Sequence, residues 1–87
     1  MRTMARVVLA PEAREQFEEL PLYVKGRVLH VLERLKAWPN VSGAKPLRGK
    51  LAGQYRMRTG DYRVQFRAEG DTVYVTRIGH RDGFYDE

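Results

Sequence analysis

The chain has 87 residues, 43% of them hydrophobic and 10% aromatic, which supports a modest core and argues against a disordered chain. A chain of this length has room for one domain spanning residues 1–87, burying roughly 60–65% of the surface its unfolded form would expose. It contains no cysteine, which excludes disulfide staples and thiolate metal sites.

Sixteen Lys and Arg against eleven Asp and Glu give a formal charge of +5, and its distribution is uneven. Lys45, Arg48, Lys50, Arg56, Arg58, Arg63, Arg67, Arg77 and Arg81 are opposed only by Asp61, Glu69 and Asp71 in the same stretch, whereas the N-terminal half mixes its signs. The asymmetry points to a polyanion on the C-terminal half, nucleic acid first; a solvated charged face accounts for composition alone equally well. No apolar run approaches the ~20 residues of a membrane helix. There is no signal-peptide pattern either, so a cytoplasmic protein without membrane contact is expected. Met4 is a plausible alternative start, since residues 1–3 have no evident structural task.

Residues 5–9 (A-R-V-V-L) form a β-branched run that predicts a strand. Ala10-Pro11-Glu12 ends it and opens a helix, with proline tolerated in the first turn and Glu12 and Glu15 favourable near the positive helix end. Ala13, Phe17 and Leu20 keep helical spacing, and Leu20-Pro21 closes the segment. A second helix is predicted over residues 21–37, its stripe made of Val24, Val28, Val31, Leu32 and Leu35. The short link between the two predicts an antiparallel helical hairpin.

Residues 38–43 (W-P-N-V-S-G) read as loop and residues 47–53 (L-R-G-K-L-A-G) as irregular and basic. The period then changes to two. Tyr55, Met57 and Thr59 alternate with Arg56 and Arg58. Beyond a Gly60-Asp61 hairpin turn, Tyr62, Val64, Phe66 and Ala68 alternate with Arg63, Gln65 and Arg67. Glu69-Gly70-Asp71 turns the chain again, and residues 72–78 complete a meander. Apolar residues fall in both alternating sets of this last strand (Val73 and Val75; Tyr74 and Ile78), which predicts an inner strand covered on both faces. The order β-α-α-β-β-β predicts a two-layer α+β domain in which the helical hairpin covers a three-stranded antiparallel meander.

If Tyr62, Val64 and Phe66 face the helices, Arg63 and Arg67 face away, with Arg56 and Arg58 beside them. Side chains two apart on one strand stand about 7 Å apart, close to the spacing of successive phosphates on single-stranded RNA, and guanidinium groups suit bidentate phosphate contacts. Lys45, Arg48 and Lys50 extend the same basic stretch. Exposed arginines on a sheet are common, but four converging with little acidic relief favour an anion site. Near the C-terminus His80 follows a glycine and can exchange protons near neutral pH, with Arg81 and Tyr85 close by in sequence; the other histidine, His30, reads as a structural residue of the second helix. There is no metal-ligand cluster, phosphate-binding glycine loop or Ser–His–Asp arrangement, so neither metal nor cofactor is expected.

Lys45-Pro46-Leu47-Arg48-Gly49, Tyr55-Arg56-Met57-Arg58-Thr59-Gly60-Asp61-Tyr62-Arg63-Val64 and Ile78-Gly79-His80-Arg81 with a tyrosine shortly after together resemble the RelE/ParE superfamily of toxins. The likeness reaches the N-terminal Leu9-Ala10-Pro11-Glu12-Ala13 and so covers nearly the whole chain. It implies a type II toxin with a cognate antitoxin. In the RelE-like branch such a toxin acts as an endoribonuclease that cuts mRNA in the ribosome by attack of a 2′-OH on its own phosphodiester. The resemblance assigns phosphate binding to Arg56 and Arg58, transition-state charge to Arg63, the leaving oxygen or phosphate to Arg81, and base stacking to Tyr85. Arginine at 56 and 58 replaces the lysines of the best-known RelE pattern and is a poor general base. That makes His80 the candidate for proton transfer. A ParE-like gyrase inhibitor, or a basic module that binds RNA without cutting it, are the other readings of the same residues.

Overall fold

The computed structural model describes residues 4–84. A five-stranded mixed sheet carries two helices. β1 (Arg6–Leu9) leads into α1 (Pro11–Glu18) and α2 (Leu22–Leu35). They are followed by the two-residue β2 (Lys45–Pro46) and then by β3 (Gln54–Thr59), β4 (Tyr62–Glu69) and β5 (Thr72–His80). The strand order is β1-β5-β4-β3-β2, antiparallel except where β1 runs parallel to β5. The predicted α+β layering and meander are present. β2 is an addition: Lys45 and Pro46 pair with Arg56 and Tyr55 at the edge of β3.

Pro11 opens α1, with Glu12 in the first turn. Pro21 precedes α2, which ends at Leu35, two residues short of the predicted limit. α1 lies on β5 and β1, and α2 on β3 and β4. Ala13 from α1 and Val24, Val28, Val31 and Leu35 from α2 meet Met57, Val64, Phe66, Val73, Val75 and Ile78 in one core. Trp38 closes it at one end, edge-on to both Tyr55 and Phe66, whose rings stack 5.5 Å apart.

The third meander strand is the inner strand expected, between β1 and β4, but its apolar residues do not divide between two faces as predicted. The pairing of β4 with β5 shifts between Gln65 and Phe66: Gln65 faces Arg77 while Phe66 faces Val75, leaving Thr76 as an extra residue. This bulge reverses the alternation, so Val73, Val75 and Ile78 all enter the same core, and Tyr74 lies on the opposite face. Beyond Val75, where β1 has ended, the Ile78 N–H donates to Gln16 Oε1 at 2.7 Å, so a helix side chain replaces the missing strand.

Both meander turns place glycine first, Gly60 at φ 61° and Gly70 at φ 59°, as a type II′ hairpin turn requires. A Cβ at Gly70 meets nothing within 4 Å, so only the backbone opposes one. Gly70→Ala is therefore expected to cost about 1–2 kcal/mol, read as a lower denaturant midpoint at unchanged slope. Among the described residues no helix is long and apolar enough to cross a membrane.

Candidate nucleic-acid interface

On the sheet face away from the helices, strand register places the basic side chains in rows. Arg58 of β3 is directly opposite Arg63 of β4, and Arg63 in turn faces Gly79 of β5. In the next row Lys45 faces Arg56, Arg56 faces Gln65, and Gln65 faces Arg77. Two like-charged pairs therefore sit directly across from one another. A face with this run of cations is suited to an anion.

The predicted arginines are not equally exposed. Arg58 is open to solvent, but Arg56 and Arg63 are only 5% and 6% exposed. The Arg63 Nη1 donates to the carbonyls of Gly60 and Tyr62 at 3.1 and 3.2 Å, which fixes the guanidinium against the β3–β4 turn. Arg67 lies over the Tyr74 ring, 4.5 Å from its centroid, and bonds Glu69. Lys45, Arg48 and Lys50 are exposed around β2 and the 3-10 turn Gly49–Leu51 that follows it.

Residues 81–84 fold back over this face. After β5, a 3-10 turn (Arg81–Gly83) brings Phe84 over Gly79, where a Cβ would stand 3.2 Å from the Phe84 ring. Arg77 stacks on that ring at 4.0 Å and donates to the Gly83 carbonyl. Phe84, 5% exposed, thus occupies the place beside Arg63 in the outer row. The glycine before His80 serves this close approach. Phe84 had no role in the sequence reading and Arg77 counted only as one of the basic residues; the small residue at 79 with an aromatic five positions later is a signal that could have found this contact.

His80 pairs with Tyr62 and packs edge-on against its ring at 5.3 Å, which puts it on the helix side at the sheet's end, one position out of phase with Arg63. Its Nδ1 accepts from the Asp82 N–H at 3.1 Å and lies 3.4 Å from the Asp82 carboxylate, so the neutral ring carries its proton on Nε2. Arg81 is exposed, its Nε 3.9 Å from carboxylate oxygens of both Asp61 and Asp82; its backbone N–H donates to the Asp61 carbonyl and ties the 3-10 turn to the β3–β4 turn. The structure thus gathers Lys45, Arg56, Arg58 and Arg63 on one face, sets His80 and Arg81 at its end, and leaves Arg48 and Lys50 at the β2 margin. Tyr85 lies outside the described residues. Among the described residues no group of three or more His, Asp or Glu is placed to hold a metal.

The same mixed sheet with a helical pair on one face is found in solved RelE toxins. Residues 7–83 match the family described as the ParE toxin of the type II toxin–antitoxin system parDE, and the chain belongs to that family. Over 84 residues it is 26% identical to Toxin RelE3 of Methanocaldococcus jannaschii, covering 93% of this chain and 96% of the relative. A chain of the toxin–antitoxin complex RelBE2 from Mycobacterium tuberculosis superposes with a TM-score of 0.80 at 30% identity, covering 93% of this chain and 95% of that one. The isolated RelE toxin of E. coli shares the fold, with a TM-score of 0.74 at 19% identity over 87% of this chain and 83% of that one. The protein is therefore a type II toxin of the RelE/ParE superfamily.

Proposed function

We propose that this toxin is an endoribonuclease of the RelE-like branch that cuts mRNA on the ribosome. The observation that carries this reading is the set of cations that strand register places on one face, Arg58 opposite Arg63 and Lys45 opposite Arg56. In the proposed reaction the 2′-oxygen bonds to phosphorus as the P–O5′ bond breaks, giving a 2′,3′-cyclic phosphate and a 5′-OH. The 2′-OH loses its proton to a base and the departing 5′-oxygen gains one. Arg58 and Lys45 hold the incoming phosphates. Arg63, already fixed by two carbonyls, meets the charge that builds on phosphorus without first having to reorganise. Arg56 adds positive potential from beneath, and Arg48 and Lys50 extend RNA binding at the margin. Arg81 assists the leaving oxygen, and Tyr85 stacks on the base.

His80 is proposed for proton transfer as an imidazolium that gives its Nε2 proton to the departing 5′-oxygen, Nδ1 facing the Asp82 carboxylate, and it reaches the RNA round the end of the sheet. Its loss is expected to slow cleavage by at least about 100-fold. If His80→Ala cuts within a few-fold of wild type in single turnover, its task is confined to capping the Asp82 N–H.

A cognate antitoxin is the proposed partner. Leu22, Tyr23 and Leu29 stand exposed on α2 and offer an apolar strip to an amphipathic segment, while the basic face suits acidic residues of the same chain. Induction of the toxin alone in a bacterial host should arrest growth, and co-expression of the antitoxin encoded beside it should restore growth. A toxin harmless when induced alone would count against this whole reading. The ParE description of the matched family favours a second reading, gyrase inhibition. That reading predicts loss of supercoiling activity and intact mRNA.

A further inference from the structure

Amid the arginines of the outer face lies a neutral cluster that phosphate binding does not require. Gln65 of β4, 5% exposed, donates from Nε2 to Gln54 Oε1 at 2.8 Å. The Thr76 hydroxyl donates to the same oxygen at 3.1 Å and lies 3.3 Å from the Gln65 carbonyl. Thr76 reaches across to β3 because it is the extra residue of the β5 bulge. A device that breaks the strand's alternation thus presents a hydroxyl to Gln54.

The direction of both amides follows from their surroundings. Gln65 Oε1 is buried without a hydrogen-bond partner, on a face where Arg56 is directly opposite and Arg63 is two residues before it. A position flanked by guanidinium groups suits an oxygen rather than an NH2. Gln65 therefore turns its Nε2 to Gln54, which makes Gln54 Oε1 the acceptor. With that oxygen facing two donors, the Gln54 amide cannot offer the paired donor and acceptor by which glutamine usually reads adenine. What remains is its NH2, two donors on a partly exposed side chain.

We propose that Gln54, oriented by Gln65 and Thr76, is a specificity-determining residue that donates to the acceptor edge of a nucleobase, uracil O4 or guanine O6 and N7, in the RNA held by the arginines. It discriminates against the amino groups of cytosine and adenine at that position, since donor would meet donor. This rests on the RNA-binding reading of the face and adds to it which base edge is preferred.

Uracil and cytosine test the idea, because they have nearly the same shape and exchange an acceptor for a donor at position 4, with the reverse exchange at N3. Fluorescence anisotropy is measured on the purified full-length toxin with 2′-O-methylated oligouridylate and oligocytidylate of equal length, which cannot be cleaved through the 2′-oxygen. Wild type should bind oligouridylate about fivefold more tightly, the discrimination expected of one hydrogen bond. Gln54→Ala should bring the ratio to about one. Gln54→Glu keeps an oxygen for Gln65 and Thr76 and turns the second outward, so it should reverse the ratio while its added charge weakens both oligonucleotides alike. An unchanged ratio in both variants, with wild-type thermal midpoints, overturns the proposal. Absence of salt-sensitive binding to either oligonucleotide overturns the RNA reading itself, and the two failures are thereby told apart.

Discussion

Arg63→Ala is expected to lower the rate of mRNA cleavage by about 100- to 1000-fold, the range found when one preorganised donor to a developing anion is removed. The side chain is buried on the outer face, and its Nη1 is held by the carbonyls of Gly60 and Tyr62. Alanine also removes a donor from both carbonyls, at a cost of about 1 kcal/mol for each bond lost. Loss of activity must therefore be read beside the thermal midpoint, at a temperature where both proteins are folded. Arg63→Lys separates charge from geometry. It keeps the cation but gives up the planar fork, so it should recover only a small part of the rate. Full activity in the lysine variant would mean that Arg63 supplies potential alone.

The second large effect falls on stability. Phe66 is fully buried, stacked on Tyr55 and met edge-on by Trp38. Phe66→Ala removes the centre of this cluster and should cost about 3–5 kcal/mol. A domain of this size has a total stability of roughly 4–13 kcal/mol, taking 0.05–0.15 kcal/mol per residue. Much of the population would then be unfolded at modest denaturant concentration, and circular dichroism would show the midpoint fall accordingly. An antitoxin that binds only the folded form should restore part of the loss in proportion to its concentration. A midpoint shift smaller than that of Gly70→Ala would show that Trp38 and Tyr55 close over the cavity.

Much of this architecture is legible in the order of residues. Pro11 and Pro21 mark the helix starts, Val24, Val28, Val31 and Leu35 mark the buried stripe, and Gly60-Asp61 and Gly70-Asp71 mark the hairpin turns. These signals are local, and each element carries its own. What could not be read depends on contacts between strands. Period two cannot be continued through a bulge, so Ile78 counts to the wrong face until Thr76 is recognised as an extra residue. β2 is too short to show a period at all.

The site divides along the same line. Parity alone placed Arg56, Arg58 and Arg63 together, and strand pairing agrees. Their burial did not follow from parity, because it depends on what lies across the sheet, including Phe84, which returns over Gly79. His80 is close to Arg81 in sequence, yet pairing with Tyr62 carries it to the helix side. The Gln54–Gln65–Thr76 cluster joins three strands and required the bulge to form.

The central claim, that this toxin cuts mRNA, is tested most directly by adding purified toxin to ribosomes programmed with a defined message and determining the ends of any fragments. The account predicts cleavage within the ribosome-bound segment, with 2′,3′-cyclic phosphate on one side, 5′-OH on the other, and none of it from Arg63→Ala over the same time. Intact message beside a toxin that blocks gyrase supercoiling in a parallel assay would contradict it.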